Sequence, residues 1–281
     1  MRNNYILAIN PGSTSTKISI FQDDTPVYTE KITHDVETMA QFDRIIDQKE
    51  FRTKVVMNFL KEKFFDPTLL TAAVGRGGVL TPMTSGTYLV NQEMVDYLEK
   101  IHIEHASNLG AILADIVAKT VGINAYIVDP VVVDEMADVA RLTGLPQIKR
   151  LSLFHALNQK AMGREAAKAL NKDYKYCNFI IAHLGAGISI GMHQMGSVVD
   201  VNNGLNGDGP FSPERAGTIP AWSLVEMATS GKYTIAELKK MLTGKGGLVA
   251  HLGINDLRDV IKRIDSGDKH ATLVYEAMAY N

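Results

Sequence analysis

Two stretches of this chain share one pattern, in which a hydrophobic run enters a short Gly-rich turn and a second hydrophobic run leaves it. The first is AINPGSTSTKISIF at residues 8–21, and the second lies within NFIIAHLGAGISIGMHQMGSVVDVNNG at residues 178–204. Apolar residues that alternate with polar ones indicate half-buried strands. Because PVYTEKIT at residues 26–33 adds another strand, each half is predicted to open with a meander of three strands.

Helical periodicity fills much of the remaining chain. It predicts helices over residues 37–65, 91–100, 108–121 and 158–170. The last segment has a helical apolar stripe at Ala271, Leu273, Val274, Ala277 and Met278. Buried strands are predicted before VGRGGVL (residues 74–80) and in AYIVDP, up to Asp129. The single tryptophan, Trp222, and the apolar positions after it are predicted to be core. The fold class is therefore α/β.

The first turn concentrates groups that bind phosphate. Gly12 and four hydroxyl residues stand between Pro11 and Lys17, and backbone N–H groups, hydroxyls and an ammonium all bind phosphate oxygens. An ordinary polar hairpin turn is the alternative. A Walker P-loop is excluded because Lys17 continues into a strand. The second turn has the spacing G-x-G-x-x-x-G and is also followed by a strand, which argues against a dinucleotide loop.

The repetition of this hairpin predicts a duplicated fold. One hairpin near the start of each half indicates two similar domains with a nucleotide between them. No low-complexity linker separates the halves. We predict a boundary near Arg150, just before LSLFHALNQK, which gives domains at residues 1–150 and 151–281.

Composition and charge indicate which classes of protein this chain can belong to. The chain has 281 residues, 46% of them hydrophobic and 21% charged, as in a globular protein of about two domains. A formal net charge of -2 provides no basic field for nucleic acid. The one cysteine, Cys177, fits a reducing compartment. No leader pattern and no membrane-length apolar run is present. We therefore expect a cytoplasmic protein that binds neither nucleic acid nor membrane.

Three motifs resemble a known family. NPGSTSTK, HLGAGISIG and LNGDGPFSPERAGTIP together resemble the acetate kinase family, and within it the butyrate kinases, over the whole chain. The resemblance implies a duplicated actin-like ATPase fold, also called ribonuclease H-like. It implies that the γ-phosphoryl of ATP moves directly and reversibly, with Mg²⁺, to a short-chain carboxylate. The reaction is then butanoate + ATP = butanoyl phosphate + ADP, in a homodimer or larger homo-oligomer.

Several alternatives stay open. Branched-chain acids, acetate and propionate are other acceptors. Family members continue past residue 281 with a further Gly-rich segment, so this chain is expected to lack a C-terminal portion. A non-catalytic module that binds ATP is therefore an alternative from another class. An actin-like ATPase that works by conformational change is a third, although two arginines in Gly/Pro-rich loops suit an anionic acceptor better.

The resemblance assigns the site residues of the first half. Those facing the phosphoryl group and its Mg²⁺ are Asn10, Ser13, Ser15 and Lys17. Arg76, flanked by glycines, would bind the transition state through its planar guanidinium, as would Arg215 in SPERAGT. Asp129 stands at the end of a buried strand, where open α/β sheets bind ligands. It would hold Mg²⁺ together with Asn10.

The second half supplies the remaining residues. A lone histidine in an apolar run is more often a buried core residue, but the resemblance makes His155 a group that stabilises the transition state. The resemblance also places Phe154 in the acyl pocket and His105 near the cleft. It assigns the nucleotide to Asp256 and Arg258. The residues that it places at the phosphates are His183, Gly185, Ala186 and Gly187. Ala186 stands where acetate kinases carry Asn. His34 and His193 are predicted to be structural.

Overall fold

The computed structural model describes residues 4–103, 105–206 and 208–281. Contacts divide the chain into two compact units, Met1–Val133 (unit 1) and Asp134–Asn281 (unit 2). The domain boundary near Arg150 stays a prediction. No helix within the described residues is long and apolar enough to cross a membrane.

Unit 1 contains a six-stranded mixed sheet. Its strands are β1 (Tyr5–Pro11), β2 (Ser15–Gln22), β3 (Thr25–Thr33), β4 (Leu70–Arg76), β5 (Thr87–Leu89) and β6 (Asn124–Val128), in the order β3-β2-β1-β4-β6-β5. The first three strands form the predicted antiparallel meander. Strand β1 pairs with β4 in parallel, and β4 with β6, so the carboxyl ends of these three strands share one edge of the sheet.

The helices of unit 1 differ from the prediction at one place. They are α1 (Val36–Met39), α2 (Lys49–Glu62), α3 (Gln92–Lys100) and α4 (Asn108–Val121), with 3₁₀ turns at Ile45–Gln48 and Pro67–Leu69. The continuous helix expected over residues 37–65 is wrong. Asp35 caps α1, and the carboxylate of Asp47 then accepts the backbone N–H of Arg44, which starts a new helical segment.

The core of unit 1 lies between the sheet and the helices α2 and α4. Leu7, Ile9, Ile18 and Ile20 come from the first two strands, and they are all at most 2% exposed. They pack in one cluster with residues of the two helices, namely Val56, Phe59, Leu60, Leu109, Leu113 and Val117. The alternating pattern of the opening strands therefore places one of their faces inside, as predicted.

A contact between two glycines fixes the distance between α4 and β4. An ideal Cβ on Gly75 would lie 1.9 Å from the carbonyl oxygen of Gly110, and one on Gly110 would lie 2.1 Å from that of Arg76. These atoms are rigid backbone, so a side chain at either position must separate the helix from the strand. The close approach holds the end of β4, and with it Arg76, against the first turn of α4.

Unit 2 opens with the second predicted meander. Strands β7 (Asn178–Leu184), β8 (Ile188–Gln194) and β9 (Ser197–Val201) form an antiparallel sheet in that order. The helices are α5 (Asp138–Arg141), α6 (Ala156–Ala169), α7 (Ala221–Thr229), α8 (Ile235–Leu242), α9 (Gly247–Leu252), α10 (Leu257–Asp265) and α11 (Lys269–Tyr280), with a 3₁₀ turn at Tyr174–Tyr176. Two of the predicted helices, 158–170 and the last segment, correspond to α6 and α11.

Burial in unit 2 corrects one sequence expectation. Trp222 is 75% exposed, and its indole N–H donates to Glu226 on the same helix; no residue of α7 is buried. The prediction that Trp222 belongs to the core is therefore wrong. Apolar residues also remain exposed on one face of the sheet, at Ile180, Leu184 and Met192.

The glycine contact predicts a specific loss of stability. Gly110→Ala should lower the free energy of unfolding by about 1 to 3 kcal/mol, because the added methyl overpacks against the backbone of β4. Chemical denaturation followed by circular dichroism measures this change. Gly144→Ala is the matched control, since nothing lies within 4 Å of its ideal Cβ. Equal midpoints for the two variants would contradict the proposed contact.

Candidate active site

The first hairpin carries its predicted phosphate-binding residues at the end of β1, in the turn and at the start of β2. Asn10 pairs with Lys17 across the ladder, and both are exposed. The backbone N–H of Gly12 donates to the carbonyl of Ser15 at 2.7 Å, which closes the turn. Ser13 is exposed in the turn and Ser15 is half-buried. The structure thus brings together all four residues assigned to this hairpin.

A buried arginine holds this hairpin from behind. Arg52, on α2, is fully buried. Its Nη2 donates to the carbonyl of Ser13 at 3.1 Å, and its Nη1 donates to the carbonyl of Ser15 at 2.9 Å and to the hydroxyl of Thr16 at 3.0 Å. Nε donates to Gln48 at 2.9 Å. Burial lowers the pKa of Arg52 to about 10, which still leaves the guanidinium charged at neutral pH.

His34 completes the support of the turn. Its backbone N–H donates to the carbonyl of Thr14 at 2.8 Å, and its Nε2 lies 2.8 Å from the hydroxyl of Thr16. Burial, and secondarily the charge of Arg52, lower the pKa of His34. This histidine is therefore a neutral, buried partner of the hairpin, in agreement with its assignment as structural.

The shared carboxyl edge of β1, β4 and β6 gathers the other assigned residues of unit 1. Arg76 ends β4, and its Nη1 lies 3.5 Å from Oδ1 of Asn10. Burial lowers the pKa of Arg76. Asp129 directly follows Val128, the residue of β6 that pairs with Arg76. One amide, one guanidinium and one carboxylate thus stand beside one another along this edge.

Asp129 is held in a strained position. Its φ of 38° lies in the left-handed region that non-glycine residues rarely adopt. Its carboxylate accepts the backbone N–H of Gly86 at 2.8 Å, its own N–H donates to the carbonyl of Gly86 at 3.0 Å, and it is 1% exposed. Strain of this kind persists where the surroundings enforce it and is frequent at functional sites.

The carboxylate of Asp129 and the side-chain amide of Asn10 are oxygen groups of the kind that binds Mg²⁺. Among the described residues, no group of three or more His, Cys, Asp or Glu could hold a metal ion. Mg²⁺ usually takes one or two carboxylates, and completes its shell with water and phosphate oxygens. The carboxylate of Asp129 and the amide oxygen of Asn10 provide that kind of partial set.

In unit 2, the corresponding turn is held through a carbonyl. Gly185, Ala186 and Gly187 connect β7 to β8. The carbonyl of Ala186 accepts the hydroxyl of Ser212 at 2.6 Å and the backbone N–H of Glu214 at 3.2 Å. The contact therefore ties the Gly turn to the SPERAGT loop, whose Ser212 is completely buried.

Arg215 lies in a loop that is packed closely on glycines. An ideal Cβ on Gly247 would lie 1.6 Å from the carbonyl of Ser212, and one on Gly246 would lie 2.4 Å from the N of Ala216. The Nε of Arg215 donates to the carbonyl of Leu205 at 3.3 Å. Gly207, within the same predicted motif, lies outside the described residues. This packing fixes the backbone on both sides of Arg215.

Two of the predicted histidines stack. The rings of His155 and His183 lie 3.7 Å apart with an interplanar angle of 7°. His155 immediately precedes α6, and its Nδ1 lies 2.9 Å from the hydroxyl of Ser189. Nδ1 of His183 lies 2.9 Å from the amide nitrogen of Asn158. Phe154, next to this pair, is 3% exposed.

Some of the residues predicted to bind phosphate or nucleotide line a cavity of about 660 Å³ in unit 2. Its lining includes Gly185, Ala186 and Asp256. Asp256 caps α10 and accepts the side chain of Arg258, which lowers its pKa to about 2. Arg258 itself is not among the residues that line the cavity, and its side chain is 86% exposed. Asp256 therefore lines the cavity, and Arg258, which pairs with Asp256, extends outside that lining.

Sequence reasoning missed the polar residues behind both hairpins. Arg52 lies in a helical pattern that carries no motif. Gln159 sits on α6, and its amide donates to Ser189, which is itself fully buried. The available signal was that Arg52 and Gln159 each occupy a position on the inward face of a predicted helix. The sequence alone does not identify the group that such a polar residue binds.

The family comparison concerns the second part of the chain. Residues 144–281 match the model of the Acetokinase family. The matched region contains the stacked histidines, the Gly turn and Arg215.

Solved structures extend the similarity to the fold of the whole chain. The acetate kinase of Porphyromonas gingivalis has a TM-score of 0.78 at 19% identity, with 99% of this chain and 77% of that chain covered. A propionate kinase from Francisella tularensis subsp. tularensis SCHU S4 has a TM-score of 0.74 at 19% identity, with coverage of 98% and 77%. The acetate kinase of Entamoeba histolytica has a TM-score of 0.70 at 18% identity, with coverage of 98% and 74%. The predicted actin-like ATPase fold is confirmed.

The Arg52 contacts predict how the first hairpin responds to mutation. Arg52→Met should destabilise the protein by about 1 to 3 kcal/mol, because the carbonyl of Ser13 loses its donor. The carbonyl of Ser15 keeps the N–H of Gly12, and the hydroxyl of Thr16 keeps its contact with His34. It should also speed hydrogen exchange at Gly12, whose N–H closes the turn. Lys54→Met, at an exposed position of the same helix, is the control. Unchanged exchange at Gly12 would show that the turn does not depend on Arg52.

A second prediction concerns pH. Burial, and then the charge of Lys160, lower the pKa of the fully buried His193 from 6.5 to about 4. Below pH 6.5 the unfolded chain binds a proton that the folded chain does not, so stability falls as pH falls toward 4. The free energy of unfolding should fall by about 3 kcal/mol between pH 6.5 and pH 4. His193→Gln should give a flatter curve of unfolding free energy against pH, and parallel curves would contradict the assignment.

Proposed function

We propose that this protein transfers the γ-phosphoryl group of ATP to a short-chain carboxylate, reversibly and without a phosphorylated enzyme. The observation that carries the proposal is the Acetokinase match over residues 144–281, the region that contains the His155–His183 stack and Arg215. The fold similarity to acetate and propionate kinases agrees with it.

The residues present are suited to positioning and to charge neutralisation. Phosphoryl transfer asks little covalent chemistry of the protein, and catalysis comes mainly from orientation and from donors directed at the oxygens of the moving group. We assign that task to Ser13, Ser15 and Lys17 of the first hairpin and to His155, His183 and Arg215 of unit 2. Arg76, on the carboxyl edge of unit 1, would bind an anionic oxygen through its guanidinium fork.

ATP and Mg²⁺ are the cofactors of this proposal. When bound, the metal would neutralise charge on the phosphate oxygens, and Asn10 and Asp129 would provide its protein oxygens. The N–H groups of Gly185, Ala186 and Gly187 would bind phosphates. Asp256, on the cavity of unit 2, and Arg258, which pairs with it, would contact the nucleotide.

We infer a four-carbon acid as the acceptor, with butanoate as the first candidate. Ala186 offers no side-chain polar group where acetate kinases carry Asn, and Phe154 is the apolar residue assigned to the acyl pocket. Branched-chain acids, acetate and propionate are the competing acceptors, and the solved structures of similar fold are acetate and propionate kinases. A non-catalytic ATP-binding module is the alternative from another class. The proposed homo-oligomer rests on the resemblance, and the proposed cytoplasmic location rests on the single cysteine and the rest of the composition.

The role of Arg215 can be tested by mutation. Arg215→Ala should reduce hydroxamate-trapped acyl phosphate by about three to five orders of magnitude, as loss of a transition-state arginine does in other phosphoryl transfers. Arg215→Lys should not restore the rate, because a point charge lacks the planar fork. Arg263→Lys is the control, because Arg263 of α10 pairs with Asp268, the N-cap residue of α11. Normal turnover in either Arg215 variant would exclude the role.

Acceptor preference is measured with the same assay on C2 to C5 acids. Each methylene buried in an apolar pocket should contribute about 1 to 3 kcal/mol to discrimination, so kcat/KM for butanoate should exceed that for acetate. Similar values for the two acids would favour an acetate kinase. Binding of Mg-ATP without acyl phosphate from any acid would favour the non-catalytic module.

A further inference from the structure

A continuous chain of hydrogen bonds runs behind His155. It joins His155 to Ser189, Ser189 to Gln159, Gln159 to His193 and His193 to Tyr174, at distances between 2.6 and 3.0 Å. Ser189, Gln159 and His193 are completely buried and Tyr174 is 7% exposed. Because the three central side chains are inaccessible to water, each of their polar atoms must be satisfied within the protein.

The orientation of the Gln159 amide is decided by a backbone carbonyl. One end of the amide lies 2.9 Å from the carbonyl oxygen of Ser189. A carbonyl can only accept, so this end must be the NH₂ group. The same nitrogen lies 2.9 Å from the hydroxyl oxygen of Ser189 and donates to it. The opposite end of the amide is therefore the oxygen, which faces His193.

That orientation determines the protonation of His193. Oε1 of Gln159 lies 3.0 Å from Nε2 of His193, so Nε2 must carry the proton. Burial keeps the imidazole neutral at pH 7, because it lowers the pKa of His193 to about 4. Nδ1 is then an acceptor, and the hydroxyl of Tyr174 donates to it at 2.6 Å. Every bond on this side of Gln159 has a fixed direction.

The bonds of the Ser189 hydroxyl transmit the direction to His155. Its oxygen accepts from the amide of Gln159 and, at 3.4 Å, from the backbone N–H of His155. Both lone pairs are then used, and the hydroxyl hydrogen remains. Within the described part of the chain, the only acceptor in hydrogen-bond reach of that hydrogen is Nδ1 of His155, at 2.9 Å. The hydroxyl therefore donates to Nδ1.

Two glycines make room for this arrangement. An ideal Cβ on Gly191 would lie 2.3 Å from Oε1 of Gln159, and one on Gly204 would lie 2.9 Å from Cβ of Ser189 and 3.5 Å from the ring of His155. The backbone is therefore kept bare at the points where the Gln159 amide and the Ser189 side chain must fit. The chain of bonds is built into the packing of β8 against α6.

We propose that Ser189 and Gln159 are positioning residues that hold His155 as the neutral tautomer protonated on Nε2. The nitrogen held by Ser189 is then always the acceptor, and Nε2–H is always the donor. His193 and Tyr174 fix the direction of the bonds from the far end. The direction of every hydrogen bond in this chain follows from the backbone carbonyl of Ser189, which can only accept.

The consequence for catalysis rests on the proposed function. A phosphoryl oxygen accepts hydrogen bonds, so the tautomer with Nε2–H presents a donor, whereas the other would present a lone pair to an anion. A fixed donor needs no reorganisation when charge develops on the moving group. Ser189 and Gln159 would then act on the reaction through the imidazole and without contact with substrate.

The tautomer itself can be measured without any activity. Long-range ¹H–¹⁵N correlation spectra of the ¹⁵N-histidine-labelled protein distinguish the two neutral tautomers, and the spectrum of His155→Gln assigns the signal. We expect His155 to be protonated on Nε2, with the other tautomer below detection. Protonation on Nδ1, or a mixture in the wild-type protein, would overturn the proposal whether or not the protein is a kinase.

Ser189→Ala tests the residue that sets the tautomer. Without the hydroxyl, the signals of His155 should shift toward a mixture of tautomers. Asn158→Ala is the matched control, because it removes the contact to the stacked His183 and leaves the bond to Nδ1 of His155 intact. An unchanged His155 tautomer in Ser189→Ala would exclude the role of Ser189. If this variant does not fold, the wild-type spectrum remains decisive.

Kinetics separate positioning from a purely structural role. In Ser189→Ala, kcat for acyl phosphate formation should fall about ten- to hundred-fold, as for loss of other partners that orient a functional histidine. KM for Mg-ATP should change little, and Ser189→Thr, which keeps a hydroxyl, should recover most of the rate. An equal loss in both variants would contradict positioning. Absence of kinase activity in the wild type would refute the proposed function and leave the spectroscopic test valid.

Discussion

Both hairpins of this protein depend on buried polar side chains that bind them from behind. In unit 1, the guanidinium of Arg52 satisfies the carbonyls of Ser13 and Ser15 and the hydroxyl of Thr16. In unit 2, the amide of Gln159 satisfies the carbonyl and hydroxyl of Ser189. A buried polar group without a partner is costly, so these bonds leave each hairpin few alternative conformations. The outer faces of the turns are then available for a ligand.

The two units hold their hairpins with different kinds of buried polar group. Unit 1 uses a permanent charge, and the neutral oxygens around Arg52 must compensate for its loss of hydration. Unit 2 uses an uncharged chain of donors and acceptors, in which each group has one role. The charged guanidinium of Arg52 holds the first hairpin but does not determine the protonation state of any residue in it. The neutral chain holds the hairpin and also determines which nitrogen of His155 carries the proton.

Close backbone approach is the second constraint, and it acts at the arginines. Gly75 and Gly110 bring α4 against the end of β4 beside Arg76, and Gly246 and Gly247 pack against the loop that carries Arg215. A guanidinium on a long side chain is effective at a reacting group only when its backbone is fixed, because freedom of the chain reduces the time spent in the required geometry. The glycines beside these two arginines provide that rigidity.

The sequence by itself determined both meanders, the strands β4 and β6, the helices α3, α4, α6 and α11, and the motifs. The alternation of 8–21 and 178–204 predicted both meanders, because side chains of a strand alternate between two faces. It also placed Asn10 and Lys17 on one hairpin and Asp129 at a strand end. It failed at the interruption after α1 and at Trp222, and it did not predict β5, α5 or the helices α7 to α9. Those depend on a local cap and on burial, which a periodic pattern does not report.

Only the tertiary structure decided which groups support the hairpins. Arg52 and Thr16, or Gln159 and His193, are far apart in sequence and meet through packing of a helix against a sheet. It also showed that Asp256 lines the cavity while its ion-pair partner Arg258 does not. Hydrogen bonds are directional and short. Periodicity therefore tells which face of an element is inside, whereas the partner of a buried polar group follows only from the packed positions of the chain.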